Sequence, residues 1–579
     1  MTKPIALVVP PNASGHRRAL PLRWLLAGSA LALAACTSVP LPEWPHRGSG
    51  ATTTSRAPAP APATASPPAT ASTSPVVQTR VEPLPYSNAI ASLFPEPGQR
   101  YNTPGLSGGR NQFTTNAELT RLLRQLPQHT DGGQQLAVLE AGSSQNGQPI
   151  YAVLAAQGGD LTPATLVNNG RPTVMIVAGQ QGNAPASTEA VLALLQELDN
   201  GGLLQPMLAR INLLLVPRAN PDGFDANRSS TANGTDLRHD HLQLNTPEAR
   251  ALAQLMNRYS PAIVIDAGEF PALEPTLQRF AAVRANDVGV QYAQTSNTHE
   301  FITKATREWF FQPMVSRLTQ AGLRVDLLAN PTGDDASAGF AMDTPQPTTL
   351  TNIATLKNAL GLMIDSRGSD LGTTHAQRRV HSLVQGMLSV LDSASLRAAD
   401  LHKIQSFVAR DTASQACQGS LVVQVQPSTQ QRQVTLIDEA SAQLTEKTVA
   451  WQSSVELSQP QLRARPCGYW LSPEARDTAA QLSQLGLNVQ RVAEITPLVA
   501  DSYQTTNTTG NGQFSPQRAL VDATPGSYYV SMNQPHAYLA SAVLEPDTAY
   551  SSYQQGILRD LSHLVRVITP APLVFADDE

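Results

Sequence analysis

An α/β fold is expected here: a mixed, mostly parallel sheet flanked by helices, followed by a smaller β-rich C-terminal domain. Three observations carry that expectation. Short apolar runs alternate with helix-length segments between about residues 117 and 391. Several runs are apolar at every position, as in strands covered on both faces. After Ala409 the texture changes to short strand-like runs between polar turns.

The elements follow in order. Residues 117–126 have helical spacing, and 136–139 and 150–154 look like strands. Val174 to Ala178 reads as a central strand, and Pro185 to Leu198 as a helix with proline in its first turn. Ile211 to Val216 is another buried strand. Thr246-Pro247-Glu248, a cap and an N1 proline, opens a helix that runs to Tyr259. A strand over Ile263 to Asp266 and a helix over Ala376 to Leu391 complete this part. Strand–helix alternation of this kind covers a sheet on both faces, and ligand sites then sit at strand C-terminal ends. In the C-terminal part, strands are expected over 420–425, 433–437, 448–452 and 526–532, with helix around 473–485.

The N-terminus reads as a targeting segment. Basic residues around Arg17, Arg18 and Arg23 precede the apolar run Trp24 to Ala35, which is too short to span a membrane. Leu33-Ala34-Ala35-Cys36 resembles a bacterial lipobox, which implies cleavage before Cys36 and lipidation of its thiol. Thr37 follows it, so an outer-membrane anchor facing the periplasm is expected. From Ala51 to Pro75 every residue except Arg56 is Pro, Ala, Thr or Ser, a composition suited to an extended tether. The expected division is a signal peptide over 1–35, a tether over 36–83, an α/β domain over 84–409 and a β-rich domain over 410–579. In an oxidising compartment Cys417 and Cys467 could pair; the alternative is two buried thiols. Of 579 residues, 41% are apolar and 15% charged, and the net charge is −5. That suits a globular chain and offers no basic footprint for nucleic acid.

Two strand ends carry the most information. One reads Gly179-Gln180-Gln181-Gly182-Asn183-Ala184-Pro185, the other Asp266-Ala267-Gly268-Glu269-Phe270. They resemble the zinc-binding loops of the carboxypeptidase A-like zinc metallocarboxypeptidases, whose bacterial members read roughly GQQHGNEP and DAHEF. Asn220-Pro221-Asp222-Gly223 and Ile364-Asp365-Ser366-Arg367-Gly368 match further motifs of that family, and similarity extends from about Tyr101 onward. The resemblance implies a zinc ion held by three ligands, a catalytic Glu, and arginines for the substrate's carboxylate.

At each chemical position this sequence departs from the pattern. The metal-ligand positions fall on Gln181, Ala184 and Gly268, a set poorly suited to zinc. Asp365 stands at the general-base position, one methylene short. Arg228 sits where the family places an arginine that polarises the scissile carbonyl. Arg238 and His239 replace the Asn and Arg of a DLNRDHL segment, leaving retained anion binding and a merely solvated loop both open. The resulting expectation is an inactive homologue with no metal site and no cofactor, binding a peptide, a peptidoglycan stem peptide or a protein partner through its remnant cleft. The alternatives are an active enzyme with a metal site rebuilt from Asp266, Glu269, His239 and His241, and an interaction lipoprotein acting through its C-terminal domain.

Overall fold

Among the described residues the largest sheet has nine strands. They are β1 (His129–Thr130), β2 (Gln134–Ser143), β3 (Pro149–Gln157), β4 (Thr173–Ala178), β5 (Asn212–Val216), β6 (Ile263–Phe270), β7 (Val288–Tyr292), β8 (Val325–Leu327) and β9 (Leu360–Arg367). Their spatial order is β1-β2-β3-β5-β4-β6-β9-β7-β8. The computed structural model describes residues 84–577, apart from 127–128, 131–132, 199–200, 335–337 and 507–512. The expected signal peptide, Cys36 and the tether lie outside the described residues.

The central strands β5, β4, β6 and β9 run parallel. Antiparallel strands flank them, β3 on β5 and β7 on β9. Four of the sheet's eight pairings are parallel and four antiparallel, so the parallel part is its core and not its majority. Every residue of β4, β5, β6 and β9 is buried, which explains their lack of polar alternation.

Helices cover both faces: α1 (Asn116–Arg124), α2 (Pro185–Gln196), α3 (Pro247–Tyr259), α4 (Leu350–Leu356) and α5 (Ala376–Leu396). Thr115 and Glu118 form a reciprocal capping box that starts α1. The Thr246 side chain accepts from the Ala249 amide at the start of α3. Met175, Val177, Leu214, Val216 and Val264 share one core with α3 and α4. Alternate strand residues point to opposite faces, and α5 packs against α2 and β9 on the other side.

Strand β6 continues to Phe270, four residues past the end expected from sequence, because its pairing with β9 is unbroken from Ile263 to Phe270. Asp266 and Gly268 interrupt the apolar run, but ladder hydrogen bonds are made by backbone and tolerate that interruption.

The expected boundary at Ala409 does not interrupt the packing. A five-stranded sheet joins Ala282–Arg284, Ala329–Thr332 and Gly339–Met342 to the long hairpin Ser420–Asp438 and Leu444–Ala464. The strands expected over 420–425 and 433–437 are parts of one strand of that hairpin. A six-stranded sheet, including Gly468–Leu471, Tyr528–Ser531 and Leu564–Val567, lies beyond it. The described residues belong to one compact unit, and one apolar core takes residues from both sides of Ala409.

Cys417 and Cys467 are joined by a disulfide across 50 residues of sequence. Closing a loop of that length restricts the unfolded chain, so replacing both cysteines by serine should cost up to about 4 kcal/mol in denaturant unfolding under oxidising conditions. A double variant as stable as the parent would show that the bridge contributes no net stability.

Candidate functional site

The candidate site forms where β6 and β9 run side by side at their C-terminal ends. The parallel register pairs Met363 with Asp266 and Asp365 with Gly268. Asp266, Gly268 and Asp365 therefore face the same side of the sheet, the side of α3 and α4. Glu269 is one residue out of phase and points the other way. There it accepts from the Ala186 amide at 3.0 Å and pairs with Arg379 of α5 at 2.7 Å.

The segment after Asp236 covers this edge. Leu237, Leu242 and Leu244 are buried in the main core. Asp240 accepts from the amides of Asn245 and Thr246 and from the Thr246 hydroxyl. Gln481 donates to the Leu242 carbonyl and Gln243 to that of Tyr550, so the C-terminal half braces the segment. Anchored on both flanks, the 3₁₀ turn Leu237–His239 projects Arg238 inward.

Arg238 fills the centre of the site. Its two terminal nitrogens donate to both oxygens of Asp365 at 2.7 and 2.6 Å, and its Nε donates to Asp266 at 2.8 Å. One terminal nitrogen also lies 3.5 Å from the Gln181 side-chain oxygen, the outer limit of a hydrogen bond. Arg238 is 7% exposed and both aspartates 1%. Burial opposes its charge, but Asp266 and Asp365 outweigh burial and hold the guanidinium well above its ordinary pKa. Gly268 makes room for this pair: a Cβ there would sit 2.8 Å from Asp365 Oδ1 and 3.1 Å from the guanidinium. A side chain at 268 and Arg238 in this position compete for one space.

The first loop keeps its shape for packing reasons. A Cβ on Gly182 would come within 1.9 Å of the Gly223 backbone, so the two segments touch directly. Asn220 caps the helix Pro221–Asp225, and Asp222 binds the Ser144 hydroxyl and the Asn146 amide. Ala184 is buried at the start of α2 without a side-chain cap bond.

His239 lies at the rim, 2.9 Å from both Asp236 and Asp343. Burial pushes its imidazole down, but the two carboxylates outweigh burial and raise it to about 10. His241, two residues on, is buried and lies 2.6 Å from Gln180 Oε1. Burial and the charge on His239 push it down to about 3, so it is a neutral imidazole. Arg228 is exposed and donates to the Ala232 carbonyl.

The structure thus brings Gln181, Gly268, Arg238 and Asp365 together, leaves His239 and Arg228 at the surface, and separates the four groups of the rebuilt metal site. Asp266, Glu269, His239 and His241 each have a different partner, and the pleat alone sends Asp266 and Glu269 to opposite faces. Asp266 and Glu269 could share one ion only if the chain left the strand after Asp266, and it continues as strand to Phe270. Arg238, read from sequence as a substrate contact, spends its donors on internal carboxylates. Its inward position was signalled only indirectly, by an arginine in the segment 236–242 together with the missing side chain at 268 in a separate motif.

A family model described as zinc carboxypeptidase matches residues 127–316. The chain is 25% identical over 500 residues to carboxypeptidase 2 of Trichophyton rubrum, covering 80% of this chain and 87% of that one. Among solved structures, a metallo-carboxypeptidase from Burkholderia cenocepacia has a TM-score of 0.33 at 15% identity, covering 48% of this chain and 68% of its own. Carboxypeptidase A from Helicoverpa armigera has a TM-score of 0.37 at 13% identity, with 50% and 75% covered.

These matches correct the expectation that no cofactor goes with this chain: zinc is the cofactor of the family it matches. The residues at the site do not fit that ion. Ala184 and Gly268 carry no donor atom, and the Gln181 oxygen faces a guanidinium. His241 Nδ1 and Asp266 Oδ1 are buried acceptors without a hydrogen-bond partner among the described residues. No group of three or more His, Cys, Asp or Glu side chains that could hold a metal ion occurs among the described residues. A structural or catalytic zinc site takes at least three protein ligands.

Two outcomes follow. Asp365→Ala strands part of a buried guanidinium and should cost about 3–5 kcal/mol in denaturant unfolding; a loss below 1 kcal/mol would mean the pair is dispensable. For His239 the folded pKa of about 10 lies above the ordinary 6.5, so its stabilisation is complete below pH 6.5 and disappears as pH rises through 10. His239→Asn should therefore destabilise clearly at pH 6 and little at pH 10.5, and a penalty independent of pH would refute the assignment.

Proposed function

Taking this chain as a member of the carboxypeptidase A-like zinc carboxypeptidase family, we propose that it does not hydrolyse peptides but binds one, or a protein partner, at the rim of the former catalytic cleft. The observation that carries this reading is the bidentate Arg238–Asp365 pair. The carboxylate at the general-base position has both oxygens committed to a guanidinium, while a general base needs one free to take a proton from water. The positions that would make water a nucleophile hold Gln181, Ala184 and Gly268. At the rim Arg228 is exposed, while His239 is half-buried with its two ring nitrogens on Asp236 and Asp343. The exposed arginine fork suits a peptide's terminal carboxylate or an acidic side chain.

In this reading lipid on Cys36 anchors the chain in an outer membrane, and the Pro/Ala/Thr/Ser-rich tether presents the folded part to the periplasm. Peptides displayed there, including the stem peptides of the cell wall, are the natural candidates.

The test has two arms. Purified protein in zinc-containing buffer should release no C-terminal residue from a broad peptide panel; chelator-sensitive release would overturn the proposal. In calorimetry, a peptide with a free C-terminal carboxylate should bind more tightly than its amidated form, and Arg228→Ala should reduce that difference by roughly tenfold, the scale of one charge-assisted hydrogen bond. Equal binding of the two forms would remove the carboxylate from the proposal.

A further inference from the structure

The N-terminal ends of the central strands hold a different feature. A cavity of about 430 Å³ opens where the chain enters β4, β6 and β9, walled on its other side by residues 402–409 and by Gly486 and His536 of the C-terminal half. That size is within the range of small-molecule sites. It lies a full strand length from the Arg238 site, about 20 Å at 3.3 Å per residue.

Its lining is one-sided in charge. Arg171, Lys357, His402 and His536 line it, and no Asp or Glu does. The Lys357 ammonium donates to Asn257 Oδ1 and to the Leu485 carbonyl at 2.8 Å, both neutral acceptors. Arg171 donates to the Gln157 carbonyl at 2.6 Å. Neither cation has a carboxylate within ion-pair distance among the described residues, whereas the buried Arg238, Arg379, Arg463 and Arg566 each do. Burial pushes Lys357 down to about 8, the mark of a charge whose surroundings do not compensate it. Burial and Lys357 push His536 down to about 4, so it enters the cavity as a neutral imidazole.

The enclosure is tightly built around that ammonium. Gly486 has φ +84°, and a Cβ on it would lie 2.4 Å from Asn257 Oδ1 and 2.9 Å from Lys357 Nζ. Only glycine lets the chain turn and close there. Met256 and Tyr259, from the last turn of α3, supply an apolar wall beside the cations.

We propose that this cavity is a binding site for a small organic carboxylate with an apolar body, its anionic end on Lys357 and Arg171. An anion supplies the charge that the protein withholds from both cations, and the wall takes the hydrocarbon. The proposal is independent of what the Arg238 site does.

Isothermal titration calorimetry of the full chain with octanoate, octanol and octylammonium tests it. Octanoate is expected to bind at one site, octanol more weakly by about tenfold, the loss of one charge-assisted hydrogen bond, and octylammonium not detectably. Lys357→Met and Arg171→Met should each weaken octanoate while leaving octanol unchanged. Octanol binding as well as octanoate, variants that bind octanoate as the parent does, or no octanoate heat at millimolar concentration would each overturn the proposal. Should a variant fail to fold, the three-ligand series on the parent chain decides alone.

Discussion

The guanidinium of Arg238 between Asp266 and Asp365 is the interaction on which the rest of this site depends. Two carboxyl groups lie on adjacent parallel strands, each 1% exposed, and burial pushes that of Asp365 up while Arg238 opposes the shift. Arg238 does so in a geometry that satisfies three carboxylate oxygens. The same guanidinium requires the absence of a side chain at 268 and occupies Asp365, so the departures from the family pattern at 238, 268 and 365 form one physical unit. Reversing one alone would leave a clash or an unpaired buried charge, a loss typically of several kcal/mol.

Around this unit the framework is held by packing and hydrogen bonds. Gly182 and Gly223 bring two backbone segments into contact. Asn220 and Asp222 tie their turn to the helix it starts and to the β2–β3 connection. Glu269, beside the altered Gly268, is held by Arg379 and by the first turn of α2. Gly182, Asn220, Asp222 and Glu269 thus all carry packing or hydrogen bonds around the Arg238 unit.

The C-terminal half belongs to this framework. It braces the Arg238 segment through Gln481 and Tyr550, and it closes the cavity at the far end of the sheet through Gly486 and His536. A shared core across Ala409 means that neither end of the sheet is built by the α/β part alone. The two ends also differ electrostatically. At one, cation and anions are matched; at the other, Lys357 and Arg171 have only neutral partners.

Much of this was legible in the sequence. Apolar runs such as Val174 to Ala178 and the cap at Thr246 mark their elements locally, because burial on both faces and helix capping are decided within a few residues. The replaced residues at 181, 184 and 268 were legible too, since side-chain identity alone decides whether a donor atom exists. The extent of β6 was not, because ladder bonds to β9 come from residues almost a hundred positions away. For the same reason the face to which Glu269 points, the joining of the two halves in one sheet and the inward turn of Arg238 were decided only by tertiary structure. By itself the sequence determined which chemical groups are present. Which of them meet, and that Arg238 spends its charge on Asp266 and Asp365, followed from strand register and from the anchoring of residues 236–246, contacts that no local pattern encodes.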